Sequence, residues 1–248
     1  MKYILLFLMG MIAVGAMGRT QVVAHRGYWD CEGSAQNSIR ALVKADSIGC
    51  DAVELDVWLT ADSQLVVNHD PSIQGIEIET ATMQDLAEVR LKNGEALPRL
   101  DAYLNSAMAL KIDLVVELKP HSAPEREDLA ASEIIRMIGE RGLTDRTTYI
   151  SFSNHAVKYF ADYTDNPVYA LTSMAPAELI ALGATGADFN LSSLRAHPEW
   201  VEELKALGLP INAWTVNDPA DLQWCIDQGF DFITTNAPET LIQLQSLQ

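Results

Sequence analysis

Polar residues capable of chemistry stand at the ends of five short apolar runs in this chain. Such β-branched runs indicate buried parallel strands, and along a strand residues i and i+2 face the same way. Glu54 and Asp56 therefore share a face, as do Glu117 and Lys119. Because an isolated buried charge is costly, three such carboxylates predict a divalent metal ion. The five segments are His25-Arg26-Gly27, Glu54-Leu55-Asp56, His69-Asp70, Glu117-Leu118-Lys119 and Asn212-Ala213-Trp214.

The same segments supply proton-transfer groups and cations. His25 and His69 suit acid–base work because the unperturbed pKa of histidine is ~6.5. Arg26 can make a two-pronged contact with phosphate oxygens, and Lys119 adds a second cation. All three predicted metal ligands offer oxygen, which suits a hard cation. Together these residue types favour cleavage of a phosphate ester.

Strand-like and helix-like segments alternate along the chain as eight βα units with one extra short strand. This alternation implies parallel pairing with right-handed crossovers. Eight repeats in 248 residues fit one closed α/β barrel, a TIM (β/α)₈ barrel, with a short insert after strand two. Barrel active sites lie at the carboxyl ends of the strands, where all five segments fall. Strands are predicted at 21–25, 50–59, 64–68, 114–118, 147–152, 168–171, 187–191, 211–216 and 230–235, and helices at 38–47, 83–90, 100–110, 129–141, 155–163, 176–182, 198–207, 219–228 and 238–247.

Charge excludes two classes of partner. The formal net charge is −17 and the sequence pI is about 4.5. Nucleic-acid binding needs a basic face, and electrostatic docking on anionic lipid needs basic residues too; we expect neither. An anionic substrate must therefore be attracted by a local positive site. Hydrophobic residues make up 48% of the chain, which excludes a disordered protein.

The N-terminus has the pattern of a secretory signal peptide at residues 1–18. Lys2 precedes an apolar run over 3–14, and the small residues Gly15, Ala16 and Gly18 follow. The run is shorter than the ~20 residues of a membrane span, and an uncleaved anchor is the less favoured alternative. We expect cleavage before Arg19, export to the periplasm or medium, no stable membrane anchor afterwards, and a mature domain at 19–248.

The cysteine count is odd, since the chain has 3. Cys31, Cys50 and Cys225 cannot all pair within one chain, and their spacing does not indicate zinc. The favoured interpretation is small buried residues without chemistry. A Cys31–Cys50 bridge remains open as an alternative.

The five segments, in this order and with Trp214-Thr215-Val216-Asn217 completing the last, resemble the glycerophosphodiester phosphodiesterase family, a phospholipase C-like TIM barrel. The resemblance runs from about residue 22 to the end. It implies hydrolysis of small-molecule glycerophosphodiesters to an alcohol and sn-glycerol 3-phosphate, with one divalent cation, Ca²⁺ or Mg²⁺. The oligomeric state and the head-group preference are left open.

The resemblance also implies roles for particular residues. His25 and His69 match the acid–base pair, without indicating which is the acid or whether water attacks directly or a cyclic phosphate forms first. The residues alone also allow structural roles. Glu54 and Asp56 could form salt bridges instead of binding a metal ion, and Lys119 could form a charge pair with Glu117. Trp214 fits equally as barrel filling. The matched metal ligands are Glu54, Asp56 and Glu117, and the substrate-binding residues are Arg26, Lys119, Trp214 and Asn37.

The sequence departs from the family pattern at three places. Gln36 stands where relatives carry glutamate, although the adjacent Asn37 is kept and is expected to cap the next helix. Phe232 stands where they carry glycine. The segment between His69 and Leu100 is short, which favours an open site for soluble diesters. Two competing hypotheses are a lipid-cleaving phospholipase C- or D-like enzyme and a non-catalytic phosphodiester-binding module.

Overall fold

Residues 19–247 of the protein are described by a computed structural model. Within this range the chain forms a strand-and-helix alternation much as predicted. The strands are β1 (Gln21–Ala24), β2 (Ala52–Leu59), β3 (Leu65–Val67), β4 (Ser72–Ile73), β5 (Ile76–Glu77), β6 (Asp113–Leu118), β7 (Thr147–Ser151), β8 (Val168–Ala170), β9 (Gly186–Asn190), β10 (Ile211–Trp214) and β11 (Phe232–Thr235). The helices are α1 (Ile39–Ser47), α2 (Leu100–Ala107), α3 (Pro124–Glu140), α4 (Asn154–Tyr163), α5 (Pro176–Leu182), α6 (Leu191–Ala196), α7 (Pro198–Leu207), α8 (Pro219–Asp227) and α9 (Pro238–Ser246).

Eight of the strands close into a parallel barrel, which confirms the predicted fold. β1 pairs with β11 on one side and with β2 on the other, and the remaining strands follow in the order β10, β9, β8, β7 and β6. In this register Asp56 lies beside Glu117, and Asp188 lies beside Asn212. Carboxyl ends of parallel strands meet at one rim, so the site residues converge there.

Two apolar layers hold the barrel. Val53, Leu55 and Val57 of β2 point outward to the large core beneath the helices. Ala52 of β2 and Val115 of β6 belong to the smaller cluster on the opposite strand faces, inside the barrel. Glu54 shares that inner face, because it is two residues from Ala52. The charged site therefore sits on top of a packed apolar floor.

The insert after β2 carries its own small core. β3 runs antiparallel to β2, and β4 and β5 form a hairpin. Trp58, Val66, Ile78, Leu86 and Leu97 pack together beneath this hairpin. The insert is thus a small folded subdomain beside the barrel mouth.

The helix predicted at 83–90 is wrong, because this stretch forms successive turns. The Asp85 carboxylate accepts from the backbone N–H of Thr82, which starts a turn. The amide of Val89 then reaches back three residues to Leu86, and Arg90 forms an isolated bridge with Ala96. Leu86 and Val89 are buried in the insert core, so tertiary packing accounts for the helix-like spacing.

Other local predictions are also corrected. Helix α6 was not predicted; it begins because the Asn190 side chain accepts from the backbone N–H of Ser192. Ser38, not Asn37, caps α1 by accepting from the N–H of Ala41. All three cysteines are free, so the Cys31–Cys50 bridge is not formed.

The predicted signal peptide lies outside the described residues. Among the helices of 19–247, none is both long enough and apolar enough to cross a bilayer.

Gly27 is the one glycine whose replacement would disturb the site directly. Its φ is +81°, and a Cβ there would lie 2.6 Å from the Ala41 Cβ. Gly49 has a φ of +84° but open space around it. We expect Gly49→Ala to cost about 1 kcal/mol of unfolding free energy through backbone strain. Gly27→Ala should cost about 1–3 kcal/mol more through overpacking against α1.

Urea unfolding of both variants measures this difference, and Gly49→Ala is the matched control for left-handed strain alone. Equal losses would contradict the close packing of Gly27 on Ala41.

Candidate active site

The turn after β1 places the first histidine and arginine over the barrel mouth. Arg26 has a left-handed φ of 59°, which is uncommon for a residue with a side chain. Its backbone N–H donates to Glu54 Oε2 at 2.7 Å, and Gly27 allows the chain to pass close to α1. The charge-assisted hydrogen bond to Glu54 on β2 therefore offsets the backbone strain at Arg26.

Glu54, Asp56 and Glu117 converge as predicted. One oxygen atom from each lies within 4.8 Å of the others, and all three residues are buried. Lys119 Nζ lies 3.1 Å from Asp56 Oδ1 and 2.8 Å from Glu117 Oε1. The charge pair that the sequence left open is therefore present, within the acidic cluster.

The positive charge near the three carboxyl groups is too small to keep all of them ionised. Burial, followed by the charge of Asp56, raises the pKa of Glu54 well above its ordinary value and that of Glu117 to about 8. Burial acts on Asp56 in the same direction, but Lys119 and His69 outweigh it and lower the pKa of Asp56. Asp56 is the best-neutralised member, whereas Glu54 and Glu117 need a further cation to ionise together at neutral pH.

The cluster fits a divalent metal ion. Glu54 Oε1 is buried and has no hydrogen-bond partner among residues 19–247. Glu117 Oε1 is close to Lys119 Nζ, but its angles are not those of a hydrogen bond. Buried unsatisfied oxygens are costly, and an oxygen-only ligand set suits a hard divalent cation.

Asn37 and Gln36 support the charged groups from the loop before α1. Asn37 takes a left-handed φ of 60°, which asparagine tolerates better than most residues. Its amide donates to Asp56 Oδ2 at 2.8 Å and accepts from the Asp56 N–H at 3.2 Å. Gln36 accepts from the Arg26 guanidinium at 2.8 Å. In this structure Asn37 holds the metal-ligand candidate Asp56, and its predicted substrate contact stays a prediction.

Both site histidines are oriented through Nδ1. His25 Nδ1 lies 2.8 Å from Asn236 Oδ1, which also accepts from Trp29 Nε1 at 3.1 Å. His69 Nδ1 lies 2.7 Å from Asp70 Oδ1. Because both partners are acceptors, each ring donates from Nδ1 and leaves Nε2 for a reacting group.

The two histidines differ in their electrostatic surroundings. Burial, followed by the Arg26 charge, lowers the pKa of His25 to about 4, so the ring is neutral at pH 7. Burial also lowers the pKa of His69, but Asp56 and Asp70 act against it. The imidazolium form is therefore better supported at His69.

A cavity of about 120 Å³ opens between these groups and the opposite barrel wall. Trp214 forms part of its apolar side and packs edge-on against Phe152 at 5.4 Å between ring centroids. The Trp214 indole donates to the backbone carbonyl of Asp188 at 2.8 Å. Trp214 therefore both packs within the barrel and lines the cavity. Asp188 also lines this cavity and was missed by the sequence reasoning.

Asp188 lacked any sequence signal that could have found it. It follows an ordinary alternating strand pattern in β9, without a neighbouring acidic or basic residue. Burial raises its pKa to about 7, against the effect of a 2.6 Å hydrogen bond from Asn212.

A second, larger cavity of about 740 Å³ lies between the first loop and the insert. Two of its lining residues contact site residues directly, and a third is linked to His25 through Asn236. Gln36 bonds Arg26, Asp70 bonds His69, and Trp29 shares the Asn236 acceptor with His25. The large cavity therefore adjoins the same catalytic centre as the small one.

The other histidines have structural partners. His121 accepts from the Leu59 N–H and contacts the Lys119 carbonyl, which fixes a loop. His155 pairs with Asp128, and His197 pairs with Glu199, both at the surface.

This fold and site agree with what the chain matches among known proteins. A sequence profile of the glycerophosphoryl diester phosphodiesterase family matches residues 25–240. The chain is 28% identical over 241 residues to a glycerophosphodiester phosphodiesterase of Caldanaerobacter subterraneus, covering 91% of this chain and 98% of that protein.

Solved structures extend the agreement to three dimensions. A crystal structure of a glycerophosphodiester phosphodiesterase from Parabacteroides distasonis matches with a TM-score of 0.90 and 46% identity, over 92% of this chain and 98% of that one. A phosphodiesterase from Oleispira antarctica, in complex with the product sn-glycerol-3-phosphate, has the same fold with a TM-score of 0.80 and 23% identity, over 93% and 98% of the two chains.

The TIM barrel, the site at its mouth and these matches together define the class as a phosphodiesterase. The chain belongs to the glycerophosphoryl diester phosphodiesterase family. The predicted family and the prediction of an enzyme are both confirmed.

Asp188 should make stability depend on pH. Its pKa is about 7 in the folded protein and ~3.9 in an unfolded chain. Folding thus favours the protonated form, and stability is lost as the pH rises from about 4 through 7. We expect the unfolding free energy of the wild type, relative to Asp188→Asn, to fall over this range by an amount on the order of 4 kcal/mol.

Urea unfolding at pH 4.5 and pH 8 in the presence of chelator measures the change, with Asp165→Asn at an exposed site as the control. A wild-type-to-Asp188→Asn difference that does not vary with pH would rule out this account of Asp188.

Proposed function

We propose that this enzyme hydrolyses glycerophosphodiesters to an alcohol and sn-glycerol 3-phosphate. The observation that carries the proposal is one small cavity lined by Glu54, Glu117, His25 and His69, with Asp56 clustered beside the two glutamates. The product complex of the Oleispira antarctica relative, which has the same fold, supports this substrate class.

One divalent cation, Ca²⁺ or Mg²⁺, completes the site in this proposal. Glu54, Asp56 and Glu117 would hold it, and when bound it would neutralise the carboxylates and polarise the phosphate. Arg26 and Lys119 lie on the same side and bind phosphate oxygens. The ion would let all three carboxylates ionise, and the three carboxylates, the two cationic side chains and the divalent ion would together carry a net positive charge. A locally positive site lets a strongly acidic protein attract an anionic diester.

The histidines divide the proton transfers. His25 is neutral at pH 7 and has a free Nε2, so it acts as the base that activates the attacking hydroxyl. His69 has a carboxylate partner that supports its protonated form, so it donates a proton to the leaving alkoxide. Asp70 lines the large cavity, which puts His69 beside the space available to the leaving alcohol.

The two cavities suit the two arms of the diester. The small cavity, with an apolar wall of Ile150, Leu171 and Trp214, fits a three-carbon glycerol unit, and the cavity of about 740 Å³ accommodates the alcohol. The walls of the large cavity carry both signs of charge, including Asp30, Glu32, Arg90 and Lys92. Such a surface suits a water-soluble head group better than an acyl chain, which favours soluble diesters over intact lipid.

We also propose that the enzyme acts outside the cytoplasm. The support is the N-terminal pattern of Lys2, an apolar run and small residues before Arg19.

Activity should require both the diester and the metal. Purified protein incubated with glycerophosphocholine is expected to release sn-glycerol 3-phosphate, to lose activity in chelator, and to regain it with Ca²⁺ or Mg²⁺. Glu54→Gln should abolish the metal-dependent rise in thermal unfolding temperature, because it removes the least-neutralised ligand. Glu133→Gln, on the exposed face of α3, is the control. Turnover of diacyl lipid alone would favour a phospholipase, and binding without turnover would favour a non-catalytic module.

Replacing each histidine should separate base from acid. We expect His25→Ala and His69→Ala to lower kcat for glycerophosphocholine by about 10²–10⁴-fold. A glycerophosphodiester with a 4-nitrophenol leaving group needs little protonation, so it should restore most of the rate in His69→Ala but not in His25→Ala. His155→Ala, a surface histidine, is the control. Restoration in His25→Ala instead would reverse the assignment, and wild-type rates in both variants would remove it.

A further inference from the structure

The floor of the small cavity holds a carboxyl group that the proposed mechanism does not use. Asp188 is 1% exposed and lies on β9, yet it lines the cavity together with Thr234 and Ile150. Its Oδ1 accepts one hydrogen bond, from Asn212 Nδ2 at 2.6 Å. Within residues 19–247 no lysine, arginine or histidine forms an ion pair with it.

The neighbouring amide is also incompletely bonded. Asn212 Nδ2 divides its two protons between Asp188 Oδ1 and Thr234 Oγ1, the latter at 2.7 Å. Asn212 Oδ1 is buried and has no partner in the described part of the chain. Buried polar groups are nearly always satisfied, so this pair has acceptor capacity and too few donors. Of the two side chains only Asp188 lines the cavity, so a hydroxyl group bound there would donate to Asp188.

The position of Asp188 relative to the reacting centre is set by the barrel. In the closed strand order, β9 lies directly opposite β2, with three strands between them on either side. Glu54 and Asp188 therefore face each other across the cavity that both line. A group held at Asp188 is on the far wall from the phosphate-binding side.

We propose that Asp188, supported by Asn212, forms a hydroxyl-binding subsite for the glycerol arm. It accepts a hydrogen bond from the C1 hydroxyl of the sn-glycerol 3-phosphate unit, which is the hydroxyl farthest from the phosphate. This inference rests on the proposed function. Its consequence is selection for diesters whose small arm ends in a free hydroxyl, because a buried acceptor without that hydroxyl stays unpaired.

A hydroxyl-binding role accounts for the burial of the Asp188 carboxyl group, which the apolar side chains of the cavity do not explain. Ile150, Leu171 and Trp214 would bind any three-carbon unit by contact, with little discrimination between glycerol and its deoxy analogue. Burying an aspartate among them costs folding stability, and binding a ligand is a function that would justify this cost. Asp188 thus acts as a specificity-determining residue beside the apolar side chains of the cavity wall.

The test compares two substrates that differ at one atom. Glycerophosphocholine carries the C1 hydroxyl, and the matching phosphocholine diester of 1,2-propanediol lacks it. At pH 8, where Asp188 is ionised, we expect the wild type to prefer glycerophosphocholine by about 10–100-fold in kcat/KM, from loss of one hydrogen bond to a charged acceptor. In Asp188→Ala that preference should disappear, because kcat/KM for glycerophosphocholine falls and that for the analogue does not.

Two further variants keep the result interpretable. Asp231→Ala removes an aspartate that bonds the Ile211 N–H at the opposite end of the barrel, so it tests general weakening of the barrel wall. It should leave the substrate preference unchanged. Asp188→Asn keeps the shape and the Asn212 contact, and it replaces Asp188→Ala if that variant does not fold; the preference should again fall.

Each outcome has one meaning. An equal fall for both substrates in Asp188→Ala would assign Asp188 a structural role and overturn the subsite. Equal wild-type rates for the two substrates would overturn it as well, with the proposed function intact. No turnover of either substrate by the wild type would overturn the proposed function and this inference together.

Discussion

The site depends on mutual repulsion among three buried carboxylates that the fold does not allow to separate. Glu54, Asp56 and Glu117 occupy two neighbouring strands in fixed register, so they cannot move apart without breaking the barrel. Lys119 neutralises part of the charge and leaves Glu54 and Glu117 with raised pKa values. This unmet demand for positive charge favours a divalent cation at the mouth of the barrel.

Much of the surrounding structure holds this arrangement in place. Arg26 and Asn37 both adopt left-handed backbone conformations, and each hydrogen-bonds a carboxylate on β2. Gly27 lets the intervening turn lie directly on α1. Unfavourable backbone geometry is thus concentrated where it orients charged groups, as expected of a functional site. Gln36 makes a neutral contact with Arg26 and adds no further negative charge.

The two cavities beside the site are bounded by different parts of the fold. The small cavity is bounded mainly by side chains of the barrel. The large cavity is bounded by the insert and the first loop, with exposed charged residues along its walls. In the proposed binding mode, the barrel wall would select the glycerol arm closely, and the loop-lined cavity would accept a wider range of alcohols.

The sequence alone determined the barrel, the order of its strands and nearly every charged residue of the site, because those features depend on local patterns. Apolar runs ending in His25 or Glu117 identify strand ends, although β2 continues to Leu59 beyond Glu54. Helices α5 and α7 begin and end at the predicted residues. The turns at 83–90 were missed because burial of Leu86 and Val89 in the insert core imitates helical spacing. Asp188 was missed because its significance lies in facing Glu54 across the barrel, a relation between strands far apart in the chain. Only closure of the sheet decided that relation, since it places β9 opposite β2 and leaves a lone carboxyl without a cation at the cavity floor.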